Sequence, residues 1–392
     1  MTQKKFLFCS CFALYPPLLR VAEIIARDHN LEGHVIAPKE FVGSPVYNQN
    51  GRFSAKKFNV YSTPLKLHFL HEKRDNICHN GFEWTSLREL LRKLKPDYIW
   101  LHEEFCGVIA QQVLWYYRFR KSQRLIAYAA INHVPKATPL FKIRWPFFSR
   151  SRLKQLLLWP RLNGVAACAT KSMECARRLG LPESVPVMVN YLPVIGPEEA
   201  DGEGLCLPWR RENSFTIGFA GLLSEQKGWK VLLQAVERLP QEFKVVLVGD
   251  GDQRGELESW LKRPGLTGRA HYAGWLPKRQ LLASYPQFDV FVLPSITTPY
   301  SVEQFGAVLA EAMACGVPVI GSDSGAIPET VGEAGLIVPE LDPDALAKAI
   351  QIMRDDEELR RRAAAWGKNR FYTHYNCKSY ARSISKMLVN HN

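Results

Sequence analysis

The sequence PSITTPYSVEQFGAVLAE, residues 294–311, decides the fold of the second half of the chain. It follows a short apolar run, 289–293, whose β-branched residues are typical of a buried parallel strand. After a polar loop, Gly306 opens a run of apolar residues with helical spacing, which ends at Gly316. The stretch therefore predicts a strand, a loop and a helix, with the loop at the place where open α/β sheets bind ligands.

Two glutamates, Glu303 in the loop and Glu311 in the predicted helix, are the chemically informative residues of this stretch. A helical rise of about 1.5 Å per residue places them roughly 10 Å apart, with about 80° of rotation between them, so both can face one cleft. Between them, the N–H groups of Phe305, Gly306 and Ala307 form a helix N-terminus, which attracts anions. Carboxylates bind sugar hydroxyls and a helix N-terminus binds phosphate, so we expect a nucleotide-sugar site. Two solvated glutamates on an ordinary βα unit are the alternative.

The pattern E-Q-F-G-x4-E at 303–311, followed by A-x-A-C-G-V-P-V-I-G-S-D-S-G-A-I-P-E, resembles that of the retaining family 4 glycosyltransferases. The resemblance implies an α/β protein of the GT-B fold, with two Rossmann-like domains facing across a cleft. It also implies transfer of a hexosyl residue from a UDP- or GDP-linked sugar to a hydroxyl group, with retention of configuration. The acceptor would be a glycan, a lipid-linked or a small molecule, in the synthesis of cell-surface polysaccharide or glycoconjugate.

The same resemblance assigns roles to individual residues. It implies that Glu303, Lys227 and His133 act in catalysis, with Lys227 neutralising the donor diphosphate and His133 facing the donor sugar. It implies that Glu311 binds the ribose. The other donor-binding residues that it implies are Phe305, Gly306, Ala307, Gly221, Gly249 and Trp275.

One position departs from the family pattern. Leu222 stands where the family has an arginine beside the diphosphate, so one cation of the expected clamp is missing. Lys230 or a residue of the other domain is the expected replacement. The alternatives to a transferase are a sugar-nucleotide epimerase of the GT-B fold, which the spacing of Glu303 and Glu311 disfavours, and a catalytically impaired nucleotide-sugar-binding protein at the membrane.

A chain of 392 residues is too long for one hydrophobic core, which predicts two domains. The resemblance implies that these are an acceptor-binding domain at 1–195 and a nucleotide-sugar-binding domain at 208–372, with a C-terminal helix in 373–392 that packs back on the first domain. No acidic cluster suggests a metal site, so we expect no metal and no cofactor besides the donor substrate. The nine cysteines lack paired spacing, which is typical of reduced thiols in a cytoplasmic protein.

The positive charge is concentrated in the first half of the chain. Residues 1–200 contain 29 Lys and Arg against 15 Asp and Glu, whereas residues 201–392 contain 22 against 23. Between 105 and 173 there are 12 basic residues and no acidic one. This asymmetry indicates that the first half contacts an anionic partner.

Within that basic region, bulky apolar residues alternate with cations. Trp145, Arg150, Arg152 and Lys154 are the candidates for an acceptor or membrane face, which would place the protein peripherally on the inner face of the membrane. A solvated amphipathic helix is the alternative. Nucleic acid is disfavoured because no recognised nucleic-acid-binding module accompanies the segment. Residues 102–104, His-Glu-Glu, end a predicted strand and are further candidates for acceptor hydroxyls.

Overall fold

The computed structural model of the chain describes residues 3–10, 15–38, 59–63, 65–66, 81–120, 122–130, 158–199, 204–205, 207, 214–299 and 301–389. The chain forms two compact units, called the first and second unit below. The first comprises Met1–Pro193 and Cys377–Asn392, and the second comprises Val194–Asn376. The sequence analysis placed residues 194–195 in the first domain and left 196–207 between the two domains, whereas in the structure both ranges group with the second unit.

The first unit is built on a parallel sheet of seven strands in the order β3-β2-β1-β6-β7-β8-β9. Its strand order reverses between β1 and β6, which makes the carboxyl ends of these two strands the topological switch point. A small antiparallel pair, β4-β5, lies outside this sheet. In chain order, the strands are β1 (Lys5–Cys9), β2 (Glu32–Pro38), β3 (Asn59–Thr63), β4 (Leu65–Lys66), β5 (Gly81–Phe82), β6 (Tyr98–Glu104), β7 (Arg124–Ala129), β8 (Gly164–Ala167) and β9 (Val187–Val189).

The helices of the first unit cover the faces of the sheet with apolar sides. Those before the second unit are α1 (Pro16–Asp28), α2 (Trp84–Leu94), α3 (Val108–Tyr117) and α4 (Thr170–Arg178). Helix α1 begins with two prolines, which fit the first turn of a helix because its N–H groups have no intrahelical partner. Strand β6 is buried along its whole length, as expected of a central strand covered on both faces.

The second unit contains a parallel sheet of six strands in the order β12-β11-β10-β13-β14-β15. This is the strand order of a dinucleotide-binding Rossmann domain, with its switch point between β10 and β13. The strands are β10 (Phe215–Ala220), β11 (Phe243–Val248), β12 (Ala270–Gly274), β13 (Val290–Leu293), β14 (Val319–Ser322) and β15 (Gly335–Val338). The helices are α5 (Trp229–Arg238), α6 (Arg254–Trp260), α7 (Lys278–Ser284), α8 (Ala307–Ala314), α9 (Ile327–Val331), α10 (Pro343–Asp355) and α11 (Glu357–Arg370).

The last helix of the described chain, α12 (Cys377–Leu388), belongs to the first unit. It contacts α1, and Cys377 Sγ lies 3.6 Å from the carbonyl oxygen of Pro17. Its apolar side reaches the sheet, where the ring of Tyr380 lies 5.9 Å from that of Trp100. Tyr380, Ile384 and Leu388 are fully buried there, so the core of the first unit includes residues from both ends of the described chain.

The predicted α/β architecture with two Rossmann-like domains is confirmed. The apolar run 289–293 and the residues that follow it form strand β13, a loop and helix α8, as predicted. The apolar run over 6–14 predicts a strand, but strand β1 ends at Cys9, and residues 11–14 lie outside the described residues.

Candidate functional site

Three loops of the second unit meet at the carboxyl ends of its central strands. They follow β10, β11 and β13, the strands that flank the switch point. The N–H of Gly221 donates to the carbonyl of Val248 at 3.0 Å, and the N–H of Ile296 donates to the carbonyl of Gln226 at 2.7 Å. The loops are therefore held together by backbone hydrogen bonds, which leaves little freedom in their relative position.

Two glycines make this close approach possible. Gly249 has a φ of +144°, and a Cβ atom on it would lie 1.9 Å from the carbonyl oxygen of Gly221. Gly228 has a φ of +66°, and its Cβ would lie 1.8 Å from the carbonyl oxygen of Pro294. Real Cβ atoms do not come this close to a backbone oxygen, so both positions require glycine. Gly221 does not require glycine for space, because a Cβ there would lie 3.7 Å from Lys227 Cγ, an ordinary van der Waals contact.

Lys227 and Glu303 form an ion pair at this place. Lys227 Nζ donates to Glu303 Oε2 at 2.7 Å, and the hydroxyl of Ser295 donates to the same oxygen, also at 2.7 Å. The backbone N–H of Gly306 adds a further hydrogen bond to the carboxylate. Burial alone would raise the pKa of Glu303, but these three donors outweigh it and hold the pKa below its usual value. Glu303 is therefore a buried carboxylate in its charged form, with Lys227 on its more exposed side.

The start of helix α8, which the sequence predicts as an anion site, lies beside the Glu303 carboxylate. The N–H of Gly306 is one of the groups that lower the pKa of Glu303. Gly306 adopts a left-handed conformation, with φ +79°, at the N-cap. Phe305 is buried against the ring of Tyr375 at 5.3 Å, whereas Ala307 is half-buried.

Glu311 lies on the second turn of α8 and is only 1% exposed. Lys278 Nζ donates to both of its oxygens, at 2.7 Å to Oε1 and 2.9 Å to Oε2. The hydroxyl of Tyr285 lies 3.1 Å from Oε2. Burial, followed by the Glu311 carboxylate, raises the pKa of Tyr285 well above its usual value, so the hydroxyl keeps its proton and donates it. The two glutamates are thus each paired with a different lysine.

Neither Lys278, Tyr285 nor Ser295 was predicted from the sequence. One signal for a partner was present: Glu311 is the single carboxylate in the otherwise apolar helix Ala307–Ala314. A buried carboxylate needs a counter-charge, which predicts a cation close to it. The identity of that cation has no local signal, because Lys278 lies 33 residues earlier in the chain.

The remaining predicted donor residues of the second unit occupy the rim of these loops. Leu222, in the position of the family arginine, is 44% exposed. Lys230, the expected replacement, makes an ion pair with Glu256 at 2.6 Å. Trp275 directly follows β12 and is half-buried.

In the first unit, polar groups are buried where β1 and β6 end. The hydroxyl of Ser10 donates to the His102 carbonyl at 2.9 Å and approaches Glu103 Oε1 at 3.1 Å. Glu104 Oε1 accepts from the N–H of Ala130 at 2.7 Å. Burial lowers the pKa of His102 to about 3, so this imidazole is neutral at physiological pH. These side chains lie at the switch point of the first sheet.

The other predicted residues of the first half are His133, Trp145, Arg150, Arg152 and Lys154, and all five lie outside the described residues.

The described residues include no group of three or more His, Cys, Asp or Glu side chains placed to hold a metal ion. Among the helices described, none combines the length and the apolar character needed to cross a membrane.

Residues 209–370 match the family model described as glycosyl transferases group 1. This part of the chain belongs to that family. The matched residues contain all three loops of the candidate site, including both ion-paired glutamates. The predicted resemblance is therefore confirmed.

Relatives of this glycosyl transferase region include the O-antigen chain mannosyltransferase B of Escherichia coli, which is 29% identical over 248 residues. That alignment covers 62% of this chain and 59% of the relative. Alignments to several other curated relatives cover smaller parts of them, down to 36% of one protein's length. The chain thus spans roughly one third to three fifths of the curated relatives that it matches.

Solved structures of glycosyltransferases share the fold over nearly the whole chain. Sucrose-phosphate synthase from Thermosynechococcus elongatus has a TM-score of 0.69 at 19% identity, with 98% of each chain covered. An Anabaena protein solved in complex with UDP and glucose has a TM-score of 0.66 at 18% identity, with 98% of this chain and 99% of that chain covered. The chain therefore has the GT-B fold.

Proposed function

We propose that the protein is a retaining glycosyltransferase that moves a hexosyl residue from a UDP- or GDP-linked sugar to the hydroxyl group of a glycan, lipid-linked or small-molecule acceptor. The observation that carries this proposal is the Lys227–Glu303 ion pair at the switch point of a group 1 domain. It supplies a cation for phosphate and a carboxylate for sugar hydroxyls, the two groups that a nucleotide sugar brings together.

Lys227 is the residue that would stabilise the leaving diphosphate. Its side chain is 23% exposed, while that of Glu303 is buried, so a ligand that enters between the loops meets the ammonium group first. Negative charge builds on the diphosphate as the glycosidic bond breaks, and a fixed ammonium stabilises that charge more in the transition state than in the ground state. The start of α8 adds the positive end of a helix dipole.

Glu303 would orient the sugar. Oε2 already accepts from Lys227 and Ser295, and a carboxylate has two oxygens with about four acceptor positions. Sugar hydroxyls would take the remaining capacity. Attack by the acceptor on the face that the diphosphate leaves, with the departing phosphate oxygen taking the acceptor proton, gives retention without an enzymic nucleophile.

We further propose that the reaction needs no bound metal ion, since Lys227 and the helix dipole provide the positive charge that a metal would otherwise supply to the diphosphate. Glu311 would bind the ribose, and His133 would form a hydrogen bond with the sugar. The basic region 105–173 would hold the protein on the cytoplasmic side of an anionic membrane, close to a lipid-linked acceptor in the synthesis of cell-surface polysaccharide or glycoconjugate.

Donor binding and turnover test the proposal separately. The first experiment measures thermal stabilisation of the full chain by a panel of UDP- and GDP-linked hexoses, where a ligand in hundredfold excess over its Kd adds about 2.7 kcal/mol. The second measures release of free nucleotide from the stabilising donor, with the configuration of the transferred sugar read by NMR. No stabilisation by any donor would contradict the proposal. If a donor stabilised the protein but no acceptor mixture led to release of free nucleotide, the result would favour the catalytically impaired binding protein that Leu222 allows.

A further inference from the structure

The ion pair between Lys278 and Glu311 is unequal in its access to solvent. Glu311 is 1% exposed, whereas the side chain of Lys278 is 30% exposed. Lys278 is the first residue of α7, which begins just beyond the carboxyl end of the edge strand β12. A ligand that approaches this side of the sheet therefore reaches the ammonium group before the carboxylate.

The hydrogen-bonding capacity of the pair is only partly used by the described residues. Each oxygen of Glu311 accepts from Lys278, and Oε2 lies within reach of Tyr285. A carboxylate has about four acceptor positions, so capacity remains, chiefly on Oε1. An ammonium group has three N–H donors, and the two oxygens of Glu311 lie in nearly the same direction from Lys278 Nζ, so at least one N–H of Lys278 remains.

One remaining donor beside one remaining acceptor fits a hydroxyl group, which needs both. Two neighbouring hydroxyls fit better still, because one donates to the carboxylate while the oxygen of the other accepts from the ammonium. The cis-diol of a ribose has this arrangement. A carboxylate alone satisfies only the protons of the diol and leaves its oxygens without a donor.

We propose that Lys278 is a ribose-binding residue, which holds Glu311 in place and donates a remaining N–H to a hydroxyl oxygen of the donor's ribose. This rests on the proposed function, in which Glu311 binds the ribose. The pair, rather than Glu311 alone, then distinguishes a ribonucleotide from a deoxyribonucleotide. Lys278 remains bonded to the carboxylate when the donor binds, so the buried charge of Glu311 keeps its partner.

The test compares the Kd of UDP and GDP with those of their 2′-deoxy and 3′-deoxy forms, measured calorimetrically on the full chain. For the wild type we expect a loss of about tenfold or more for at least one deoxy form, the value of a charge-assisted hydrogen bond. In Lys278→Met, the ratio of the Kd of that deoxy form to the Kd of the ribonucleotide should fall close to one. Lys278→Gln, which still donates to Glu311 but has no charge, should also lower the ratio. This variant replaces Lys278→Met in the test if Lys278→Met does not fold.

Two control variants separate ribose binding from support of Glu311. Tyr285→Phe removes a bond to Glu311 Oε2 and leaves the exposed side of Lys278 unchanged, so it should keep most of the ratio. Arg238 is an exposed cation at the C-terminal end of α5 and is paired with Asp344. Arg238→Met should leave the ratio of Kd values unchanged.

The possible outcomes are distinct. A wild-type ratio near one, an unchanged ratio in Lys278→Met, or an equal loss in Tyr285→Phe would overturn the role of Lys278 while leaving nucleotide binding intact. If the wild type bound neither the ribonucleotides nor the deoxyribonucleotides, the proposed function itself would be contradicted.

Discussion

Replacing Lys227 with methionine should destabilise the second unit in a way that depends on pH. The substitution keeps the length and apolar stem of the side chain but removes the ammonium group that lies 2.7 Å from Glu303. At an effective dielectric constant of about 20, two unit charges at that distance attract each other by about 6 kcal/mol. Most of this is cancelled by the cost of taking both charges out of water.

The net loss is expected to be about 3 kcal/mol, the lower end of the range for breaking a buried pair. Lys227 is partly exposed, and Glu303 keeps its bonds from Ser295 and Gly306, which both reduce the loss. The Lys230–Glu256 pair is a matched control, since it has a similar distance of 2.6 Å but lies on the surface. Lys230→Met should cost less than about 1 kcal/mol.

The pH dependence follows from Glu303. In the wild type its pKa is lowered on folding, so its contribution to stability is present above the unfolded pKa and is lost as pH falls through the folded pKa. Without Lys227, burial dominates and raises the folded pKa above the unfolded one. The variant then gains stability, relative to the wild type, as pH falls and Glu303 takes up a proton. The difference between the two proteins should be larger near pH 8 than near about pH 5.

Hydrogen exchange read by mass spectrometry measures this difference in the peptides that cover 290–320, without requiring both units to unfold together. The double variant Lys227→Met, Glu303→Gln should lose the pH dependence, because no titrating carboxylate is left at the site. The reasoning would be refuted by an equal loss at both pH values, or by a loss in Lys230→Met as large as in Lys227→Met.

Other perturbations test the remaining features. Gly249→Ala should destabilise the second unit by about 1–3 kcal/mol in thermal unfolding, because its Cβ would collide with the Gly221 carbonyl. Gly221→Ala should change stability by less than about 0.5 kcal/mol yet weaken donor binding. Equal stability of the two variants would contradict the loop geometry. Turnover should survive excess EDTA, and loss of activity that added Mg²⁺ restores would reject metal-independent transfer. The protein should pellet with anionic but not neutral liposomes at low salt. Replacing Arg150, Arg152 and Lys154 with Glu should abolish pelleting and leave the fold intact. Unchanged pelleting of this variant would exclude a membrane role for these residues.

The architecture could be predicted because each element has its own local pattern. The run over 289–293 and the apolar spacing after Gly306 correspond to β13 and α8 within two residues. Residues 356–372 also predict a helix from their sequence. It corresponds to α11 and differs only at its end, where Phe371–Tyr375 form a π-helical turn. Short elements with mixed composition, such as β15 and α9, lacked a periodic pattern and were not predicted.

The site was predicted less completely, because its contacts join distant parts of the chain. Lys227 and Glu303 were each identified through the family pattern, but their direct ion pair spans 76 residues and has no local signal. The sequence analysis treated the N–H groups at the start of α8 in isolation. In the structure the N–H of Gly306 helps to lower the pKa of the protein's own Glu303. Pairing of charges within the site therefore depends on tertiary contacts that periodicity cannot reveal.

The position of helix α12 in the first unit has a consequence for biosynthesis. The ribosome completes residues 1–193 long before it reaches Leu388, the last residue of α12, and 195 residues separate Pro193 from Leu388. At about 5–20 residues per second this takes on the order of 10 to 40 s. During that interval the apolar surface around Trp100 and α1 has no cover from Tyr380 and Ile384. The nascent first unit is therefore a candidate for chaperone binding, whereas the second unit, which is continuous in sequence, can finish folding before it.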